Sequence, residues 1–287
     1  MKEMILRLAM LSMKSIPLDS YRYLLLKPLF KLNHEVLNGF HSFNNDRFFI
    51  YQVDNHFLPT QSLAWPITYK NFEKWCDTTA LNKYKVSPGD VIVDIGAGMG
   101  EEIIVLSHRV GPTGKVYAVE ANPQVCSILE RVAKLNKLDN TVIANLAINS
   151  SNEDITLTDD ADSYLAGTLF NKTASATAKV YKVRGVTMDT FFEENNITHI
   201  DLLKSNIEGA ERFVVDSISK KYVNRIKCVA ISCHDFRYAV DGNEFFKTKE
   251  YVSKFLTDNG FEISSQQSGV GHIDDYVYGV NKNYGLN

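Results

Sequence analysis

Three glycines alternate behind an acidic residue in Asp94-Ile-Gly-Ala-Gly-Met-Gly100, and Glu101 follows at once. Residues of these types at this spacing can hold a nucleoside cofactor. Gly96, Gly98 and Gly100 carry no Cβ and accept positive φ, so the backbone can turn sharply and press against a ligand. A helix opening at Glu101 would then offer its N-terminal amides to an anionic group, a carboxylate or a phosphate. The apolar run Val91, Ile92, Val93 and Ile95 reads as a central parallel strand buried on both faces. A second run, Val116-Tyr-Ala-Val, ends in Glu120, twenty residues beyond Gly100, where a carboxylate can take both hydroxyls of a ribose.

The spacing also bears on which cofactor. A nicotinamide fingerprint reads G-x-G-x-x-G, whereas here the third glycine comes one residue early, which is the S-adenosylmethionine pattern. Glu120 supports a ribose in either case and does not choose. The expected cofactor residues are Asp94, Gly96, Ala97, Gly98, Gly100 and Glu101, with Glu120, Ala121 and Asn122 after the second strand. A tight strand-to-helix turn without a ligand is the bland alternative.

Elements able to position such a site alternate from Val91 onward, the signature of a doubly wound sheet. Further parallel strands are expected at 141–148, 199–207 and 226–233, and helices at 101–110, 123–135, 210–220 and 244–259. Two strands at 261–265 and 275–280, joined by a glycine-bearing loop, read as a closing hairpin. Ligands of such sheets bind outside the carboxyl ends of the strands. Residues 159–178, polar and small, read as a solvated connection or a substrate loop.

Before Val91 the chain changes character. Apolar stretches at 1–14 and 21–32 are broken by basic residues and are too short to span a bilayer. Arg7 inside the first, with no small-residue cleavage site after it, argues against a signal peptide. Seven Lys or Arg face four acids in residues 1 to 47, although the whole chain of 287 residues is at -3. That local excess allows a peripheral contact of residues 1–32 with an anionic membrane, but a helical cap packed on the catalytic domain is the favoured reading. The expected division is an N-terminal helical extension over 1–88 and a cofactor domain over 89–287. No global basic excess suggests nucleic acid. Four cysteines without CxxC pairing or zinc spacing suit a reducing compartment, so a cytoplasmic enzyme without a structural metal is expected.

The run Asp201-Leu-Leu-Lys-Ser-Asn-Ile-Glu-Gly-Ala-Glu211 adds a specific resemblance. Taken with Val91–Glu102, Val119-Glu-Ala-Asn-Pro123 and Val186-Thr-Met-Asp-Thr-Phe191, it resembles the FkbM family of S-adenosylmethionine-dependent methyltransferases over roughly residues 69–280. The resemblance implies a Rossmann-like, seven-stranded class I methyltransferase sheet with a C-terminal antiparallel hairpin. It also implies O-methylation of a hydroxyl on a sugar, glycan or polyketide-like small molecule. Lys204, Glu208 and Glu211 match the family motif by position.

Two positions depart from that pattern. Asn206 stands where the family usually has aspartate and cannot serve as a proton acceptor of that kind, and Ser232 stands where many relatives have glutamate. His234, at the end of the fifth strand, matches a histidine common in the family and is the expected base, since an imidazole titrates near neutrality. Lys204 interrupts an apolar strand and needs a partner, for which Glu208 or Glu211 is expected. These two acids, read as lying at a helix start, suit either capping or substrate orientation. The catalytic set is therefore His234, Asn206, Glu208 and Lys204. A protein of the same fold that binds the cofactor but has lost catalysis is the alternative.

Overall fold

The structure is a computed structural model, and it describes residues 19–31, 34–43, 47–61, 63, 67–159 and 179–286. The expected substrate loop, apart from Asp159, and the first apolar stretch lie outside these residues.

The first described element is a helix, Asp19–Lys31, which buries Arg22, Leu26 and Phe30 at intervals of four. Three antiparallel strands follow, β1 (Leu37–Phe43), β2 (Phe48–Val53) and β3 (His56–Thr60). This sheet departs from the helical expectation for residues 1–88, which among the described residues holds for Asp19–Lys31 and Tyr69–Thr78. The cue lay in Asp54-Asn55 between β2 and β3, where Asp54 takes φ 50° and closes a two-residue hairpin. The burial pattern of β2 is nearly continuous rather than alternating, so the periodicity gave no strand signal.

The main sheet contains β4 (Val91–Ile95), β5 (Lys115–Val119) and β6 (Thr141–Ala144) on one side. Two small pairs interrupt the order: β7 (Ala147–Ile148) with β10 (Gly185–Val186), and β8 (Ile155–Asp159) with β9 (Lys179–Val183). The sheet resumes with β11 (Ile200–Ser205), β12 (Ile226–Ser232), β13 (Phe261–Ser264) and β14 (Tyr276–Asn281). Its order is β13-β14-β12-β11-β4-β5-β6, with β14 antiparallel to both neighbours. This is the expected doubly wound sheet closed by a C-terminal hairpin. The strand expected over 141–148 is two strands, because Asn145 turns away to donate to the carbonyls of Glu120 and Ala121 at 2.8 and 3.2 Å.

Local chemistry starts the helices that flank the site. Pro123 occupies the first turn of Pro123–Leu135, and the Asn122 side chain caps it by accepting from the amides of Gln124 and Val125. Gly100, at φ 100°, swings the chain from the loop into Glu101–Val110. The helix expected over 210–220 is shorter, Glu211–Asp216, followed by one turn at Lys220–Val223.

One hydrophobic cluster crosses the expected boundary at residue 88. Leu26, Phe30, Phe48 and Ile50 share it with Ile92, Ile103, Val116 and Leu129. Arg47 adds a polar tie: its guanidinium donates to both oxygens of buried Asp159 at 2.8 and 2.5 Å and to Gln124 at 3.2 Å.

Candidate functional site

A cavity of about 430 Å³ opens at the carboxyl ends of β4, β5 and β11. Its floor is the glycine loop, and register explains the loop's shape. Lys204 on β11 stands opposite Asp94 on β4. The amide of Asn206 then donates to the Ile95 carbonyl at 3.0 Å. The two strand ends approach so closely that a Cβ on Gly96 would lie 2.2 Å from the Asn206 carbonyl oxygen, at a φ of 79°. Glycine at 96 is thus required by contact as well as by conformation.

Of the expected cofactor residues, Gly96, Ala97, Gly98, Glu101, Glu120, Ala121 and Asn122 line the cavity, together with Lys204, Asn206 and Glu208. Asp94 and Gly100 lie behind it. Asp94 is fully buried, and its Oδ1 is 2.8 Å from the Lys204 ammonium. The other ionic partner of Lys204 is Glu102, at 2.6 Å, and the ammonium also donates to the Gly96 carbonyl at 3.5 Å. This corrects the sequence expectation of Glu208 or Glu211. Strand register places the lysine beside Asp94, and helix Glu101–Val110 delivers Glu102 above it. Burial works against the lysine's charge, but Asp94 and Glu102 together hold Lys204 well above the ordinary lysine range. Burial pushes the Asp94 carboxyl up to about 7, with the ammonium pulling the other way.

Glu120 is oriented by two backbone amides, Gly98 at 3.0 Å and Asn122 at 2.8 Å. Burial nevertheless pushes it up to about 7, and Glu101 likewise. The cavity wall therefore holds Glu101, Glu102, Glu120 and Glu208 against one lysine, which two carboxylates already share. A pyrophosphate would meet repulsion there, whereas a cofactor bearing a sulfonium and an ammonium is matched. Apolar side chains complete the wall: Ile95, Val119, Leu146, Ile148, Ile155 and Leu157 offer a surface for a base. The residues present fit S-adenosylmethionine.

The second half of the motif is arranged differently from the sequence reading. Helix Glu211–Asp216 begins three residues after Glu208, which sits in the preceding loop at φ 52°. The two acids do not share a helix face but bracket His234. Its Nδ1 is 2.7 Å from Glu211 Oε1, and its Nε2 is 3.6 Å from Glu208 Oε1. His234 is 2% exposed and stands behind the cavity wall, reaching it through Glu208. Burial would lower the imidazole, but the charge and hydrogen bond of Glu211, with Glu208 beyond, outweigh it and hold His234 above its ordinary value. Glu211 also accepts from the Gly209 amide and from Thr248 Oγ1, at 3.0 and 2.9 Å. Arg237 pairs with Glu208 on its far side. Asp235, next to His234, caps helix Lys249–Asp258 by accepting from the amides of Thr248 and Lys249.

Sequence reasoning missed Glu102 and the aromatic part of the cavity lining, Phe72, Trp75 and Phe245. Glu102 was legible only as a helix-start acid. Phe72 and Trp75 sit three apart on helix Tyr69–Thr78, so they share a face, but nothing in the sequence says where that helix docks.

A family model described as the methyltransferase FkbM domain matches residues 94–263, more than half of the chain. The chain is 38% identical over 63 residues to the tRNA (guanine(37)-N(1))-methyltransferase Trm5b of Methanocaldococcus jannaschii, covering 22% of this chain and 18% of that protein. It is 34% identical over 65 residues to a probable cobalt-precorrin-6B C(15)-methyltransferase (decarboxylating) of Saccharolobus solfataricus, covering 22% of this chain and 33% of that protein. The chain thus spans about a fifth to a third of the length of these curated relatives. Among solved structures, the Methanococcus jannaschii fibrillarin pre-rRNA processing protein superposes with a TM-score of 0.44 at 13% identity, over 85% of this chain and 97% of that one.

Proposed function

The chain belongs to the FkbM methyltransferase family and uses S-adenosylmethionine, and from that premise we propose that it methylates a hydroxyl oxygen of a sugar, glycan or polyketide-like small molecule. The observation that carries the reading is the composition of the cavity lining. Phe72, 44%-exposed Trp75 and Phe245 offer aromatic faces, while Asn206 and Glu208 offer planar hydrogen-bonding groups beside them. Neutral polyhydroxylated rings suit this combination, because their C–H faces stack on aromatic rings and their hydroxyls donate to carboxylate and amide oxygens. Four glutamates and one paired lysine in the wall disfavour an RNA phosphate backbone.

When bound, the cofactor supplies a methyl group on a sulfonium, already a strong electrophile. The protein's part is mainly to hold the acceptor oxygen in line, an effect that can reach about 7–11 kcal/mol. Asn206 orients the acceptor through its carboxamide. Glu208, a carboxylate of the lining next to Gly209, on which Phe245 packs, takes the hydroxyl proton. His234 and Arg237 fix its orientation from behind, and Glu211 fixes His234. Lys204 holds the glycine loop through Asp94 and Glu102. In this assignment His234 and Lys204 act through other residues, while Asn206 and Glu208 touch the acceptor. The four cysteines are unpaired and Cys76, Cys126 and Cys233 are buried, which supports a cytoplasmic enzyme.

The test uses the full chain, cofactor labelled in its methyl group, and a panel of monosaccharides, oligosaccharides and hydroxylated polyketides. Label in a base-stable methyl ether supports the reading, and Glu208→Gln should slow its formation by about 10²-fold or more. Label on nitrogen, carbon or RNA would overturn it. A cofactor-binding protein without turnover is the second reading, favoured by Asn206 and Ser232 at positions where relatives carry acids. Cofactor binding with no transfer to any acceptor class would establish it.

A peripheral contact with the inner membrane face is a variant of the first reading. Tyr21, Leu24 and Leu25 lie exposed on one stripe of helix Asp19–Lys31, with Lys27 and Lys31 nearby. No helix among the described residues is long and apolar enough to cross a membrane. Unchanged sedimentation with anionic vesicles after Leu24→Ser and Leu25→Ser would remove the variant.

A further inference from the structure

We propose that Glu102 receives the positive charge of the cofactor and is a specificity-determining residue of the cavity. The inference rests on the cofactor of the family and is independent of the acceptor named above.

Elimination among the four wall glutamates leads to it. Both oxygens of Glu120 accept backbone amides, from Gly98 and Asn122. Glu101 folds onto the amides at the start of its own helix, those of Met99 and Glu101. Glu208 already has two side-chain partners, Arg237 and His234. Glu102 alone combines a fixed orientation with an idle oxygen. Its Oε2 is held 2.6 Å from the Lys204 ammonium, while its Oε1 is buried and has no hydrogen-bond partner.

Charge balance points the same way. Lys204 is shared by two carboxylates, Glu102 and Asp94, and neither oxygen of Asp94 has a further partner. One lysine serves two acids, Asp94 fully buried and Glu102 with its side chain 12% exposed. Burial raises Asp94, ionising both acids beside one lysine leaves surplus negative charge, and an arriving cation would relieve that cost. S-adenosylmethionine carries two positive groups, the sulfonium and the α-ammonium. Either meets the requirement, and the two are separable by ligand chemistry.

The experiment is titration calorimetry of wild type, Glu102→Gln and Glu102→Asp with three ligands. S-adenosylmethionine carries both cations, S-adenosylhomocysteine keeps the ammonium but has a neutral sulfur, and 5′-methylthioadenosine carries neither. In Glu102→Gln, the ligand whose cation meets Glu102 should bind about tenfold more weakly, the order expected for one charge pair beside a solvent-facing cavity. Loss for S-adenosylmethionine alone assigns the sulfonium. Equal loss for it and S-adenosylhomocysteine, with 5′-methylthioadenosine unchanged, assigns the ammonium. Glu102→Asp keeps a carboxylate and should retain part of the preference. Equal weakening of all three ligands, or of none, would overturn the assignment. Because no acceptor is present, failure of the O-methylation reading would leave this result standing.

Discussion

Replacing Lys204 by Met removes the charge from the floor of the cavity while keeping nearly the volume of the lysine stem. Asp94 is fully buried and would lose its one cation, at 2.8 Å, and Glu102 would lose its partner at 2.6 Å. Breaking a buried pair by deleting one member typically costs about 3–5 kcal/mol, a large share of the roughly 5–15 kcal/mol that holds a domain folded. The cost should depend on pH in a defined direction. Burial already raises Asp94 from its usual 3.8 to about 7, and the ammonium is the main influence opposing it. Without the lysine the folded-state value rises further. A carboxyl with a raised folded value binds its proton more tightly in the folded state, so its contribution is greatest at low pH. It declines by about 1.4 kcal/mol per pH unit between the unfolded and folded values. In the wild type that decline ends near pH 7, and in the variant it continues. The gap between the two proteins should therefore be nearly steady near pH 6 and widen by about 1 kcal/mol from pH 7 to pH 8, since the wild type still loses a fraction of its own contribution over that unit. Urea unfolding followed by tryptophan fluorescence at pH 6, 7 and 8 measures it. The double variant Asp94→Asn with Lys204→Met should recover most of the loss and most of the pH dependence. A gap that does not change with pH, or a double variant as unstable as the single one, would refute the ion-set explanation of Lys204.

Two further outcomes follow from the same wall. Gly96→Ala places a Cβ 2.2 Å from the Asn206 carbonyl at a φ of 79°, so the loop must move. A stability loss of about 3 kcal/mol and a weakening of cofactor affinity by at least about tenfold are expected from calorimetry and thermal unfolding, and an unaltered affinity would count against the close approach. Burial raises Glu120 to about 7, and its ionised form is the better acceptor for ribose hydroxyls and the better match for a cation. Cofactor affinity should thus be flat above about pH 8 and fall, approaching tenfold per unit, below about pH 7. Titrations in two buffers of different ionisation enthalpy should show proton release on binding at pH 6, and Glu120→Gln should flatten the profile.

The sheet and the cofactor loop were legible because their signals are local. Val91–Ile95 and the glycines declare a buried strand and a tight turn, and Asn122-Pro123 declares a helix start; the structure has both where they were read. What escaped the sequence depends on pairing across the sheet. Which acid meets Lys204 is decided by the register of β11 on β4, and no spacing within Asp201–Glu211 encodes that. The same holds for His234, whose partners are Glu211 at the start of helix Glu211–Asp216 and Glu208 in the loop before it rather than adjacent Asp235, which caps another helix. The three-stranded sheet was missed because β2 is buried along nearly its whole length, leaving no alternation to read.

Arg47 joins parts of the chain that lie 77 and 112 positions away from it. Asp159, its partner, ends the strand whose Ile155 and Leu157 wall the cavity, and Gln124 opens the helix that Asn122 caps. The region matched by the family begins at residue 94, yet the hydrophobic cluster beneath it takes in Leu26, Phe30 and Phe48. A fragment trimmed to the recognisable family segment would bare that core to water and strand the charge of Asp159 inside the protein. The amino-terminal sheet is in this sense a keystone, set early in the chain and far from the chemistry, whose removal would be felt as a slackening of the ligand's far wall. Substitutions in residues 37–43 and 47–60 would thereby be felt in the shape of a cavity that those residues do not line.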